Sequence, residues 1–522
     1  MLLRVDWQVI RQMSDNCFFL DYVAGEPSAT DFFSLPPLAF DDLKPRINFS
    51  YPRQQVVEAL YGYAQALKAP QRTLENISAL AHSDTFCVIS GQQAGLLGGP
   101  AFTLYKIATT IRLARLLQER LSVRVIPVYW LASEDHDLQE VNHLYYVRSD
   151  GEIGRLKFDW AEEGRPIEDL PITPQMHELL DKYWAQIKGP YTAEIRRLLA
   201  PREERLYCSW QARIWTELFA SHGLVVIEPR ILRHIGAPFF RRVLERTNEI
   251  KQALAETASA LKERGYSPSL DPRTYGGLYT RDRQGKRVRV TEPEQHLPLV
   301  SQQPERYSPD AALRPLFADT VLPVLASVLG PGETRYQAML GRLYRIFELP
   351  QPIIFPRQSL TLLSKLQYER LRRYQISPID LLTGEINPSA VMQRVAPPAL
   401  VEKFDQAEQG IQATLTPLLE QLLELDPNLQ RTFEQTQSNI LRALNKLRDR
   451  GIRAAASRKG LSKAELQALR NIVLPRGRLQ ERVLPVPHFL SIWGPKLIDR
   501  LVHEIDVTDF CHLIWISERQ NA

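Results

Sequence analysis

Two polar clusters stand at the ends of apolar runs, and their residue types suit acid–base chemistry on a bound small molecule. The first is Ser90-Gly-Gln-Gln-Ala-Gly-Leu-Leu-Gly-Gly-Pro100, with glycines at 91, 95, 98 and 99. Glycines let backbone N–H groups approach an anion at a helix start, and Gln92 and Gln93 add amides that read a carboxylate, amide or hydroxyl. The second cluster is Glu134-Asp-His-Asp137, with Asn142 close behind. Carboxylates on both sides are expected to raise the His136 pKa toward neutrality and make it a proton acceptor, backed by Asp135 and Asp137. The same residues also suit a satisfied surface turn or, with more ligands, a metal centre. On a strand His136 points away from both aspartates, so no metal is assigned. Lys106 follows the glycines at a distance from which its ammonium either reaches back to a phosphate or carboxylate or lies on a solvated face. Glu333, just after Gly330-Pro-Gly332, either holds a ligand hydroxyl or caps a helix. Glu481 and Arg482 read as a structural ion pair.

Certain elements must position these groups. Thr85–Ser90 is an apolar, β-branched run that reads as a buried strand, and apolar residues recur at helical spacing from Phe102 to Leu117. Arg124–Ser133 is a second strand ending in the acidic cluster. Strand, glycine loop, helix and strand make a right-handed βαβ unit with polar groups at the carboxyl ends of parallel strands, where ligands bind in open α/β sheets. The loop is neither a P-loop nor a dinucleotide fingerprint. A nicotinamide or flavin oxidoreductase is therefore disfavoured.

The rest of the chain divides by texture. Residues 1–149 hold an aromatic- and proline-rich arm, helices over 56–80 and the first part of the core. Residues 150–205 form a first insertion, 206–264 return to the core with a strand at 223–229 and a helix over 238–262, and 265–300 form a second insertion with a hairpin around Asp282–Gly285. Core resumes over 301–397, with helices at 313–328 and 336–347 and a strand at 351–356. Over 398–456, Phe404, Ile411, Leu418 and Leu425 recur by seven, as do Leu415, Leu422 and Leu429, and then Phe433, Ile440 and Leu447. This predicts an antiparallel coiled coil, joined where Asp426 caps a helix with Pro427 at its first position. So long a hairpin buries its seam poorly alone, which suggests a second subunit. Residues 457–522 return to the core, and 512–516 are expected to rejoin the sheet.

The 522 residues are 44% hydrophobic and 24% charged, with a net charge of +5. That charge is small for the length and argues against a nucleic-acid surface. Cys17, Cys87, Cys208 and Cys511 are scattered without a C-x-x-C, as in a reducing cytoplasm. Asp6 precedes any long apolar run, so no signal peptide is expected, and no stretch has the length of a membrane span.

Ser90–Lys106, Ile126–Asp137 and Glu140–Asn142, followed by Leu329-Gly-Pro-Gly-Glu-Thr-Arg-Tyr336 and Gly477-Arg-Leu-Gln-Glu-Arg482, closely resemble blocks of the BshC family, which adds cysteine in bacillithiol synthesis. The resemblance implies an α/β fold with a Rossmann-like parallel-sheet core, two connecting insertions and a coiled-coil domain that makes a homodimer. It implies cytoplasmic cysteine ligation to the amine of glucosaminyl-malate, an amide-forming reaction with ATP as candidate cosubstrate, its phosphates at the glycine loop. The catalytic set is then His136, Asp135 and Asp137, and the binding set Gly91, Gln92, Gln93, Gly98, Gly99, Lys106, Glu134, Asn142 and Glu333. The His-x-Gly-His and Lys-Met-Ser-Lys-Ser motifs of class I synthetases are absent, which leaves a pre-activated donor open. The alternative is a non-catalytic nucleotide- or sugar-binding protein with a coiled-coil scaffold.

Overall fold

The computed structural model describes residues 1–13, 15–43, 49–160, 163–384 and 386–517. Small parts of the N-terminal arm (44–48), the first insertion (161–162) and the C-terminal segment (518–522) lie outside the described residues. In chain order the strands are β1 (Leu2–Val5), β2 (Thr85–Gln92), β3 (Arg124–Leu131), β4 (His143–Val147), β5 (Ile153–Lys157) and β6 (Val225–Ile227). There follow β7 (Leu278–Arg281), β8 (Arg287–Arg289), β9 (Ser308–Pro309), β10 (Val324–Leu329), β11 (Ile353–Pro356), β12 (Ser359–Ser364) and β13 (His512–Ser517).

Five strands, ordered β11-β10-β2-β3-β6, form a sheet in which every neighbouring pair is parallel. Period-two alternation splits β2 between two cores. Phe86 and Val88 pack with Leu113 and Leu117 of the helix Phe102–Leu121, while Cys87 and Ile89 face Phe239, Phe317 and Leu340 on the other side. The chain enters in the middle at β2, adds β3 and β6 on one side, then crosses to β10 and β11 on the other. The strand order thus reverses between β2 and β10, and a crevice opens at their carboxyl ends.

Several expectations are corrected. The helix expected over 313–328 is a short helix, Arg314–Val321, followed by β10. Pro323 forbids the continuous helix, since the residue before a proline leaves helical geometry. The helix expected over 238–262 is two, Ala237–Glu245 and Thr247–Glu263. The last strand does not rejoin the five-stranded sheet. β13 lies between β1, antiparallel, and β12, parallel, in a second sheet.

The inserted pieces carry small sheets of their own, a β4–β5 ladder and the β8-β7-β9 sheet. The heptad region forms two long paired helices, Pro398–Leu425 and Leu429–Arg458, clamped by Arg448 on Asp405 (2.8 Å). Their joint differs from the one expected. Asn428, not Asp426, is the cap residue of the second helix, and the Asp426 carboxylate instead accepts the Asn428 N–H (2.9 Å). Among the described residues no helix is long and apolar enough to cross a membrane.

Candidate active site

β2 and β3 pair in register from Thr85↔Arg124 to Gln92↔Leu131, so they end together. The chain then turns at both ends, and Gln93 Nε2 donates to Asp135 Oδ2 (3.1 Å). The amide-rich turn and the acidic tip therefore meet in one crevice of about 420 Å³. Gln92, Gln93, Asp135 and Glu140 line it from the β2–β3 side, Arg314 and Glu333 from the β10 side. A second cavity of about 550 Å³ opens across the Gln92–Gln93 turn, and these two residues and Glu140 border both.

Lys106 is fully buried. Its ammonium donates to Gly91 O (2.8 Å), Gln92 Oε1 (3.1 Å) and both Glu333 oxygens (2.8 and 2.7 Å). Burial pulls its pKa down, against the opposing pull of Glu333. Lys106 is thus neither on a solvated face nor free for a phosphate; it ties the β2 terminus to the helix Pro331–Gln337 across the crevice floor. Glu333 performs the capping function as well, accepting the Gly330 N–H (2.7 Å), while its half-exposed carboxylate borders the crevice.

The acidic cluster divides its labour. Glu134 is buried and bonds Arg314 Nε (2.7 Å), so it positions a crevice arginine rather than a ligand. Burial pushes the Asp135 carboxyl up. Arg314 and Arg287, with the Gln93 amide and the His136 N–H, outweigh that and hold it below the usual carboxylate range. Asp137 accepts the Gln139 N–H (3.1 Å) and caps a short turn. The expected rise of the His136 pKa is wrong. Burial and the Arg287 guanidinium, 3.3 Å from Nδ1, lower it, and the two aspartates do not compensate. Nor does strand alternation apply there, because β3 ends at Leu131.

Asn142 is buried with its amide on Asp159 (3.1 Å) and borders neither cavity. The glycine loop is also inward-looking. The N–H groups of Gly95, Gly98 and Gly99 bond Gln93 O, Gly95 O and Leu96 O, so these three are not a free phosphate cradle. Gly99 borders the second cavity, but Gly98 lies against Trp215, where an added Cβ would come within 3.0 Å at φ +88°. Gly98→Ala is therefore expected to cost about 1–3 kcal/mol of stability, read as a lower thermal midpoint with unchanged KM. A raised KM at unchanged midpoint would return Gly98 to the binding set.

One residue, Glu140, escaped sequence reasoning as a candidate site residue, and one pairing was misread. Glu140 is solvent-exposed at the junction of the cavities, and among the described residues its carboxylate has no hydrogen-bond or ion-pair partner. The walls around it thin the water and Asp137 and Asp135 repel its charge, so its pKa is raised. Its signal was position, three residues beyond Asp137. Glu481 pairs not with its neighbour Arg482 but with Arg357 (2.7 and 3.1 Å), leaving Arg482 to the second cavity. Among the described residues no group of three or more His, Cys, Asp or Glu side chains converges as metal ligands.

Two family models match the chain. The model described as Bacillithiol biosynthesis BshC, N-terminal Rossmann-like domain, matches residues 5–358, and that for the C-terminal coiled-coil domain matches 360–516. Similar proteins carry the name "Putative cysteine ligase BshC". That of Natranaerobius thermophilus is 29% identical, covering 93% of this chain and 94% of its own. The Koribacter versatilis protein is 30% identical over 86% of this chain and 87% of its own, and that of a Geobacillus species 28% over 88% and 89%. With two matched models that together span almost its whole length, this chain belongs to the BshC family.

Proposed function

We propose that this protein is a cysteine ligase of bacillithiol synthesis, joining the cysteine carboxyl group to the amine of glucosaminyl-malate. The observation that carries the reading is the switch-point crevice, with an unpartnered carboxylate of raised pKa at its mouth and fixed amides beside it. In the reaction the amine nitrogen attacks the activated carboxyl carbon, a C–N bond forms, and the activating group leaves with its electron pair. The nitrogen must shed a proton to become a neutral amide, and an acceptor within hydrogen-bond reach supplies that step. Glu140 takes that role. His136, with Arg287 on its Nδ1, becomes the residue that holds the β7–β8 hairpin over the acidic tip. Gln92 and Gln93 orient the substrate, contributing proximity. ATP as cosubstrate would supply the carboxyl activation. Because the three glycine N–H groups are already bonded, side chains rather than that loop would hold its phosphates.

The scaffold alternative accounts for less, since it gives Glu140 no use and the relatives are named as ligases. A free cysteine substrate, and four cysteines with no disulfide between them among the described residues, fit a reducing cytoplasm. The proposal includes a homodimer. Leu418 and Leu425 on the first helix and Ile440 and Leu447 on the second, each pair spaced by seven, remain exposed on the helical hairpin. Leu418→Glu with Leu447→Glu is expected to turn a dimer into a monomer in sedimentation velocity; a wild-type monomer at micromolar concentration would refute it.

The test is to incubate the pure protein with cysteine and glucosaminyl-malate, with and without ATP, and to analyse the products by mass. The expected product is the acceptor plus cysteine less one water, with AMP or ADP in the ATP arm. An acceptor unchanged in every arm would overturn the ligase reading, and product without nucleotide consumption would overturn the ATP assignment alone.

A further inference from the structure

The second cavity has a charge pattern the ligation chemistry does not use. Arg476, Arg478 and Arg482, three guanidinium groups within seven residues, line one wall. Gly99, Pro100, Phe102 and Thr103, at the amino-terminal end of the 20-residue helix Phe102–Leu121, line the same cavity, and this stretch pairs with the segment just after Arg482 (Val486 N–H to Gly99 O, 3.0 Å). A helix amino terminus carries partial positive charge, so the helix start and the arginines both favour an anion. Among the described residues neither Arg478 nor Arg482 has an ion-pair or hydrogen-bond partner for its side chain. Arg476 donates to the phenolic oxygen of Tyr145 (2.8 Å), which also lines the cavity. Thr103, almost wholly buried, has a hydroxyl without a partner among the described residues. Among the described residues the one lining carboxylate is Glu140, shared with the crevice.

The backbone is bent to deliver these groups. Arg476 adopts a left-handed conformation (φ +55°) followed by Gly477 at φ +72°, which sets Arg476 and Arg478 on a tight corner. Arg482 feels the positive charges of Arg357 and Arg478, which Glu481 and Glu333 only partly offset, and a ligand with two negative charges relieves that repulsion while accepting forked N–H pairs.

Resting on the ligase reading, we infer that this second cavity is a dianion subsite, in which Arg478 and Arg482 grip the two-carboxylate end of the acceptor while its amine reaches Glu140 at the rim. A phosphate group of a nucleotide shares the same chemistry, and the test separates the two sources. The subsite needs no covalent step; it fixes which way round the acceptor lies.

The experiment measures binding of L-malate, glucosaminyl-malate, methyl glucosaminide (which lacks the dicarboxylate) and ATP by calorimetry. It uses the full chain as wild type, Arg478→Gln, Arg478→Lys and Arg482→Gln. Both arginines are exposed, so each variant is expected to keep the wild-type thermal midpoint. Losing one charge-assisted pair weakens binding about tenfold or more. A tenfold loss for L-malate and glucosaminyl-malate, partly restored in Arg478→Lys, with ATP unchanged, assigns the dicarboxylate. The same loss confined to ATP assigns phosphate and overturns the acceptor orientation. Changes below twofold for all dianions overturn the subsite. Product formation with an unaltered KM for glucosaminyl-malate in the variants sinks the subsite and spares the ligase. Weakened malate binding in a protein that makes no product does the reverse.

Discussion

Glu140→Gln lowers kcat for cysteine ligation about 10²- to 10⁴-fold, the range associated with loss of a positioned proton acceptor. Substrate affinity and thermal midpoint stay near wild type, because the Glu140 carboxylate is exposed and holds no other group in place. The glutamine keeps size and polarity but cannot take a proton. The pH profile carries a second signature. An ordinary glutamate titrates near 4.5, and here desolvation with the charges of Asp137 and Asp135 moves the group upward. A base must be ionised to act, so the rate climbs with pH through that raised value, and this acid limb vanishes in Glu140→Gln. His136→Ala is expected to have the smaller effect on kcat. A reversed ranking, with His136→Ala near-inactive and Glu140→Gln near wild type, would restore the imidazole as base.

The largest loss of stability is expected at Glu481. Glu481 and Arg357 are both buried, joined by two short contacts (2.7 and 3.1 Å), and Glu481 also accepts Ser359 Oγ (2.8 Å) and the Leu360 N–H (3.1 Å). This carboxylate fastens the start of β12, and with it the second sheet, to the segment that carries the cavity arginines. Glu481→Ala strands a guanidinium in the interior, which costs about 3–5 kcal/mol. Calorimetry should show a strongly lowered midpoint, or the protein should fail to accumulate; an unchanged midpoint would refute the role. Burial raises the Glu481 pKa and Arg357 more than reverses this, so the folded value lies below the unfolded one. The stabilisation is therefore complete above about pH 4.5, the ordinary glutamate value. It is lost as pH falls through the folded pKa.

Local periodicity made the βαβ unit legible. A β-branched run ending at Gly91, a helical stripe from Phe102 and an apolar run before Glu134 each have one reading. The heptads at 404–447 were equally plain, though Asp426-Pro427 looked like a cap and is instead the turn before it. β10 escaped because its apolar run directly follows an apolar helix; Pro323 was the punctuation that separates them. Its loss hid the switch point between β2 and β10, and so the far wall of the crevice. The charge partners were not legible at all. Lys106 meets Glu333 across 227 residues, Glu481 prefers Arg357 over its neighbour, and Arg287, 151 residues from His136, adds to the burial that lowers its pKa. Residues adjacent in sequence rarely face each other, and burial selects partners by fold rather than by order.

The most direct measurement is a crystal structure with glucosaminyl-malate bound. The sugar amine is expected about 3 Å from the Glu140 carboxylate, beside Gln92 and Gln93, with the two malyl carboxylates at Arg478 and Arg482. An acceptor bound with its amine far from Glu140, or outside both cavities that meet at the Gln92–Gln93 turn, would contradict it.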